Sequence, residues 1–144
     1  MKLDRKILYL NAEFFCLIAV SFLLEFAVIY IPDYWLDFIS KNNLSNKSFE
    51  VPDDFDLSGL GADFKVFARS EIDDETSNYY PGINVVKSGY IAVACCLCGS
   101  GDPYFINVND GENGKLYRVY HDDNSIDIVV NNYKDILKFA EPEN

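Results

Sequence analysis

Positive charge is scarce in this chain: 12 lysines and arginines stand against 23 aspartates and glutamates, for a formal charge of -11 at pH 7. Phosphate backbones demand the opposite sign, so this balance argues against nucleic acid and leaves simple solubility or basic partners. Histidine is nearly absent, with His121 alone. Cysteine is confined to Cys16, Cys95, Cys96 and Cys98, three of them within four positions. Neighbours that close give no sensible disulfide framework, and reduced thiols imply a cytoplasmic setting. Internal repeats and low-complexity runs are missing as well. A length of 144 residues suits one domain, 1–144, able to bury a core without disulfide or metal staples.

What the chain does have is an apolar beginning. FFCLIAVSFLLEFAVIYI, Phe14 to Ile31, is broken only by Ser21 and Glu25, and Lys2, Arg5 and Lys6 precede it. This has the look of a signal anchor, but Glu25 costs about 2–3 kcal/mol or more in hydrocarbon, and the run sits at the short limit for a span. No small-x-small cleavage site follows it. The expectation is therefore a buried helix from about Asn11 to Val28 and no membrane. Pro32 then opens a second helix running to about Lys41, with Trp35, Phe38 and Ile39 on its buried face.

Asn42 to Gly61 is rich in Asn, Ser, Asp, Gly and Pro and reads as a loop, with VPDDFDLSGLG on the surface. Phe64 to Arg69 alternates as a strand, and Ser70 followed by Asp73 is a capping signal for a short helix, SEIDDETSNYY, closed by Pro81-Gly82. Gly89 to Cys98 is apolar on both faces and predicts a central, covered strand. Strands at Pro103–Val108, Lys115–His121 and Ile126–Val130 complete an antiparallel meander. Finally Asn131 can cap a closing helix whose Tyr133, Ile136, Leu137 and Ala140 recur at helical spacing.

The stretch CCLCGSGDPYF, residues 95–105, is the one place that resembles chemistry. In an extended strand Cys95 points away from Cys96 and Cys98, and His121 is distant in sequence, so four zinc ligands cannot be assembled. A dinucleotide fingerprint needs a third glycine opening a helix, whereas Pro103 opens a strand. The reading that remains is a tight turn in which Gly99 or Gly101 takes positive φ and Asp102 accepts from a backbone amide. His121-Asp122 offers a base and a carboxylate without a placed nucleophile, and the oxygen-bearing residues from Asn107 to Gly114 do not fit a calcium loop. No catalytic set, cofactor or metal is expected; an enzyme using His121 and Asp122, or a membrane-anchored interaction protein, is the alternative.

Two segments carry a family resemblance. In LLEFAVIYIPDYWLDFISKNN, Glu25, Pro32, Tyr34 and Phe38 stand as in the helix pair of the SMI1/KNR4 family, the SUKH superfamily. YIAVACCLCGSGDPYFINVNDGENGKLYRVYHDD followed by VVNNYKDILKF resembles that family's apolar strand, Gly-Asp turn, paired strands ending in His-Asp, and final helix. Asn43-Leu44 departs from the Asn-Gly often found after the second helix, and the first helix is unusually apolar. The resemblance implies an α+β fold, SMI1/KNR4-like, with a largely antiparallel sheet packed against an N-terminal helical pair and a C-terminal helix. It also implies a non-catalytic protein-binding domain, in bacteria an immunity protein that neutralises a toxin by direct contact. The partner would then be a basic toxin domain, met by carboxylates in three groups: Asp53, Asp54 and Asp56; Glu71, Asp73, Asp74 and Glu75; Asp122 and Asp123.

Overall fold

The computed structural model describes residues 29–139. The expected helix from about Asn11 to Val28, with Cys16 and Glu25, lies outside the described residues, as does Ala140. Of the apolar run, only 29–31 is described: Ile31 is buried in the core, Ile29 packs against it, and Tyr30 is exposed. Among the described residues no helix is long and apolar enough to cross a membrane.

The fold is α+β. Helix α1 spans Asp33–Lys41, with Pro32 in the extended N-cap position just before it. Proline fits there because its missing N–H is one the first turn leaves unpaired. Trp35, Phe38 and Ile39 are its buried residues, as the spacing predicts. Six strands follow: β1 Ser48–Val51, β2 Ala62–Val66, β3 Tyr90–Cys96, β4 Tyr104–Asn107, β5 Leu116–Val119 and β6 Ile126–Val130. They pair in sequence order as one sheet, each pair antiparallel. Between β2 and β3 lie helix α2, Arg69–Asn78, and the single-turn α3, Gly82–Val85.

Strand β1 corrects the expectation of an unbroken loop from Asn42 to Gly61. Phe49 and Val51 alternate inward from Ser48 and Glu50, a period of two too short to stand out among the turn residues around it. The cap of α2 also moves. Ala68 precedes the helix, and the Glu71 carboxylate accepts the Ala68 N–H at 2.8 Å, so the capping carboxylate is Glu71 rather than Asp73. The chain does not close at Pro81-Gly82 but turns into α3. A Cβ on Gly82 would lie 2.4 Å from the Glu75 carbonyl oxygen, so the approach of α3 to α2 requires glycine.

β3 is the covered strand, with Ile91, Ala92, Val93 and Ala94 all buried. Its register with β4 shifts between Ala92 and Ala94, and there the Ala92 amide donates to the buried Thr76 Oγ1 of α2 at 2.9 Å. The side chain thus supplies the acceptor that a regular ladder would have given. The closing helix is a 3-10 helix, Tyr133–Phe139. Its buried positions follow a period of three, Tyr133 and Ile136 with Phe139 partly buried, while Leu137 is exposed, so the α-helical spacing expected there does not hold. Asn132, not Asn131, caps it, accepting the Lys134 N–H at 3.0 Å.

The registers define two ends of the sheet. Val51 faces Ala62, Phe64 faces Cys96, Ala94 faces Tyr104, and Val119 faces Ile126. The connections 52–61, 97–103 and 120–125 therefore leave at one end, called here the hairpin end. Helix α2, the 108–115 connection, and the segments joining α1 and the 3-10 helix to the sheet start from the other end.

Candidate functional site at the hairpin end

The turn after β3 forms as its composition dictates. Gly99 and Gly101 have φ of +83° and +77°, conformations that side chains with a Cβ resist. Asp102 is buried, and its Oδ1 accepts from the backbone N–H of His121 at 3.0 Å and meets the ring Nδ1 at 2.7 Å. Asp102 thus bonds a backbone amide as expected, and the amide belongs to the next hairpin. Its carboxyl is held below the ordinary range: burial opposes ionisation, but the hydrogen bonds from the His121 amide and ring outweigh it. His121 is raised in turn, first by its bond to Asp102 and then by the charge of Asp122, whose Oδ1 lies 3.0 Å from Nε2.

Both ring nitrogens of His121 therefore face carboxylates, and among the described residues no hydroxyl or thiol bonds to it. This arrangement stabilises an imidazolium and ties two turns together. It is not the base-to-nucleophile geometry of acyl transfer.

The 52–61 connection folds back over the sheet. Its Leu57 amide donates to the Val129 carbonyl at 2.9 Å. Asp56, expected as a surface carboxylate, is instead buried. Its Oδ1 accepts from the Ser58 N–H at 2.9 Å and the Ser58 hydroxyl at 2.6 Å, which corrects its assignment to a binding face. Ser58 Oγ in turn accepts from Arg118 at 3.3 Å, and Arg118 also donates to the Gly61 carbonyl and to Tyr104 Oη. Arg118 is 2% exposed, and among the described residues no carboxylate lies within ion-pairing distance of it. Its two terminal nitrogens instead meet a carbonyl and hydroxyls, and the Tyr104 ring lies 5.1 Å from the guanidinium carbon, while Nε is buried without a hydrogen-bond partner. Tyr104, fully buried, has its phenol pushed well above the ordinary value by that burial.

Neither Arg118 nor Tyr104 was expected from the sequence. The available signal was a charged residue set within the apolar run of Leu116, Tyr117 and Val119, a position that must be either an edge or a buried anchor.

What the loop presents outward is mixed. Asp53 and Asp54 are exposed, and so are Phe55, Leu57 and Leu60, at 57%, 57% and 63%. Phe55 rests on Phe139 at 5.1 Å, and Asp53, Gly59, Leu60 and Gly61 line an open groove with the edge of Asp56. Asp122 and Asp123 are exposed on the 120–125 turn at the same end, and the Asp123 carboxyl is lowered first by the Ser125 hydroxyl and then by the Ser125 N–H, which donates to Oδ1.

The third acidic group stands apart. Glu71, Asp73, Asp74 and Glu75 lie on the first turns of α2, which begins where β2 leaves the opposite end. Glu71 is committed to its cap, Asp74 accepts from Asn78 at 2.7 Å, and Glu75 is raised by burial and by the charges of Asp74 and Glu71. Two of the three expected groups thus share an end, and the third does not. No protein-family profile, curated protein or solved structure matches the chain.

Proposed function

We propose that this chain is a non-catalytic protein-binding domain of the SMI1/KNR4 kind, acting as an immunity protein that masks a basic toxin domain through its hairpin end. The observation that carries the reading is the 52–61 loop. It exposes three large apolar side chains between carboxylates while its backbone is pinned from beneath by Leu57, Asp56, Ser58 and Arg118. Phe55 keeps a ring contact with Phe139, but all three side chains leave more than half of their surface to solvent, and an apolar centre with a charged rim is the anatomy of a protein interface. Pre-organisation lowers the ordering cost of association. Asp53, Asp54, Asp122 and Asp123 give that end its negative potential, which suits a partner that is basic for its own phosphate-bearing substrate. The order of elements, a Pro-opened helix, antiparallel strands, a turn bearing His121 and Asp122 just after β5, and a closing 3-10 helix, supports this reading.

The direct experiment is to express the chain together with the C-terminal domain of a polypeptide encoded next to it and to follow growth. Protection, with a complex that Phe55→Ala/Leu60→Ala weakens by at least about tenfold, is the expected result. Growth arrest despite normal levels of the chain would refute the role.

A further inference from the structure

Beside the docking loop, the structure holds a second feature that protein binding does not use. β3 ends at Cys96, and the chain bends immediately after it, with the Leu97 amide anchored to the Asp63 carbonyl at 2.8 Å. In a straight strand residues two apart share a side but their side chains stand well separated. Here the bend brings Cys96 Sγ to 3.0 Å from Cys98 Sγ. Ser100 Oγ lies 3.3 Å from Cys96 Sγ on the other side, and it also accepts the Asp102 N–H at 3.3 Å, so it is held in place. Cys98 is exposed and Cys96 half-buried. Gly99 and Gly101 leave open space where a Cβ would stand, so a second molecule can reach the sulfurs from solvent.

We propose that Cys96 and Cys98 form a thiol–disulfide exchange site for low-molecular-weight disulfides such as oxidised glutathione. Exchange needs a thiolate, a resolving thiol within reach, and access for the incoming disulfide. The first is supplied at Cys96. Burial opposes its ionisation, but the Cys98 thiol, the Ser100 hydroxyl and the backbone N–H groups of both residues donate to it and bring its pKa down to about 7. The buried Arg118 charge adds a favourable potential at Cys98. The pair then behaves as one shared proton between two sulfurs, as in other coupled sites.

The Cys96 thiolate attacks one sulfur of the disulfide. That S–S bond breaks, a mixed disulfide forms on Cys96, and the first thiolate leaves and takes a proton from water. Cys98 releases its proton to solvent and attacks Cys96 Sγ. The mixed disulfide breaks, the Cys96–Cys98 disulfide forms, and the second thiolate leaves. The protein dithiol loses two electrons, and one small disulfide becomes two thiols. Closing the ring asks the sulfurs to move from 3.0 Å to a bonded separation of about 2 Å, a shift available to two side chains at an exposed bend. Cys95, one residue away in an extended strand, points to the opposite face and takes no part.

The test uses the full-length reduced chain in buffers of graded oxidised-to-reduced glutathione, quenched by alkylation and read by peptide mass. Loss of two hydrogens from the peptide bearing Cys96 and Cys98, reversed by excess reduced glutathione, is expected. Cys98→Ser should trap a glutathione adduct on Cys96, and Cys95→Ala should behave as wild type. In wild type, the alkylation rate of Cys96 should be half-maximal near pH 7, and it should move upward in Cys98→Ala and in Ser100→Ala, which remove the donors. A wild-type chain that stays dithiol in oxidised glutathione, or that stops at the adduct, would overturn the proposal. So would a Cys96 rate half-maximal near the ordinary thiol value of about 8.5.

Discussion

The two ends of the sheet bury different things. At the end where α1 and the 3-10 helix meet, the contacts are aromatic: Tyr133 stands edge-on to Trp35 and to Phe38, each at 5.1 Å, and stacks with Tyr34 at 6.4 Å. Three polar atoms there, Tyr34 Oη, Trp35 Nε1 and Tyr133 Oη, are buried without a hydrogen-bond partner, and burial pushes the Tyr133 phenol up to about 12. At the hairpin end the buried groups are Arg118, Asp102 and Asp56, and hydrogen bonds tie the 97–103 turn to the 120–125 turn and the 52–61 loop to β5. One end is held by aromatic area, and its orphaned polar atoms are uncharged hydroxyls and an indole N–H. The other is held by buried charged groups hydrogen-bonded through most of their polar atoms, with Asp56 Oδ2 and Arg118 Nε left without a partner, and its chemistry and exposed side chains lie above them. The contrast shows where this fold spends stability and where it places features that stability does not require.

The largest effect should come from the aromatic end. Trp35→Ala removes a 1% exposed ring packed against Phe38 and Tyr133, and it should cost about 3–5 kcal/mol in denaturant unfolding. Next comes Tyr104→Phe at the hairpin end, which takes an acceptor from a buried cation and should cost about 1.5–3 kcal/mol. The same chemical change at Tyr133 should have the opposite sense. Tyr133→Phe deletes a buried hydroxyl that has no partner, so stability should be unchanged or rise by up to about 1–2 kcal/mol. Equal losses for the two Tyr→Phe variants would erase the distinction between the ends.

The smallest effect is one of pH. His121 is raised in the folded chain, so its contribution is fully present below the unfolded imidazole value and is lost as pH rises through the folded one. Asp102 is lowered, so its contribution is present above the unfolded carboxylate value and lost as pH falls through the folded one. The pair should therefore stabilise most between about pH 4 and 6.5. His121→Gln should remove the decline in unfolding free energy that wild type shows as pH rises above about 6.5, while Tyr133→Phe leaves that decline in place.

How much of this was legible follows the same division. The aromatic end could be read from periodicity, because Trp35, Phe38 and Ile39 repeat at α spacing and burial depends only on which face they occupy. The strand order could be read for the same reason, since β3 is apolar on both faces and β6 spans Ile126–Val130 as expected. Periodicity failed where the period was short or changed: in the four residues of β1, and in the 3-10 helix, where a spacing of three replaces 3.6. The hairpin end was legible as a turn but not as a network. Asp102 and His121 are 19 positions apart, and Ser58 and Arg118 are 60 apart, so only tertiary structure could pair them. For the same reason Asp56 could not be told from Asp53 and Asp54 in the sequence, although the fold buries one and exposes the other two.

The central claim is that recognition runs through the hairpin end, and the two groups of carboxylates at opposite ends offer the direct test. The measurement is the association rate with the basic partner domain against salt, for wild type, Asp53→Asn/Asp54→Asn and Asp73→Asn/Asp74→Asn. Ions screen exposed charges beyond about 8–10 Å, so steering by the hairpin end should appear as a rate that falls with salt. The Asp53/Asp54 pair should slow association by about tenfold at low salt and flatten the salt dependence, with dissociation nearly unchanged, while the Asp73/Asp74 pair stays within about twofold of wild type. Equal slowing by both pairs, or a rate indifferent to salt and to the hairpin-end substitutions, would contradict the account.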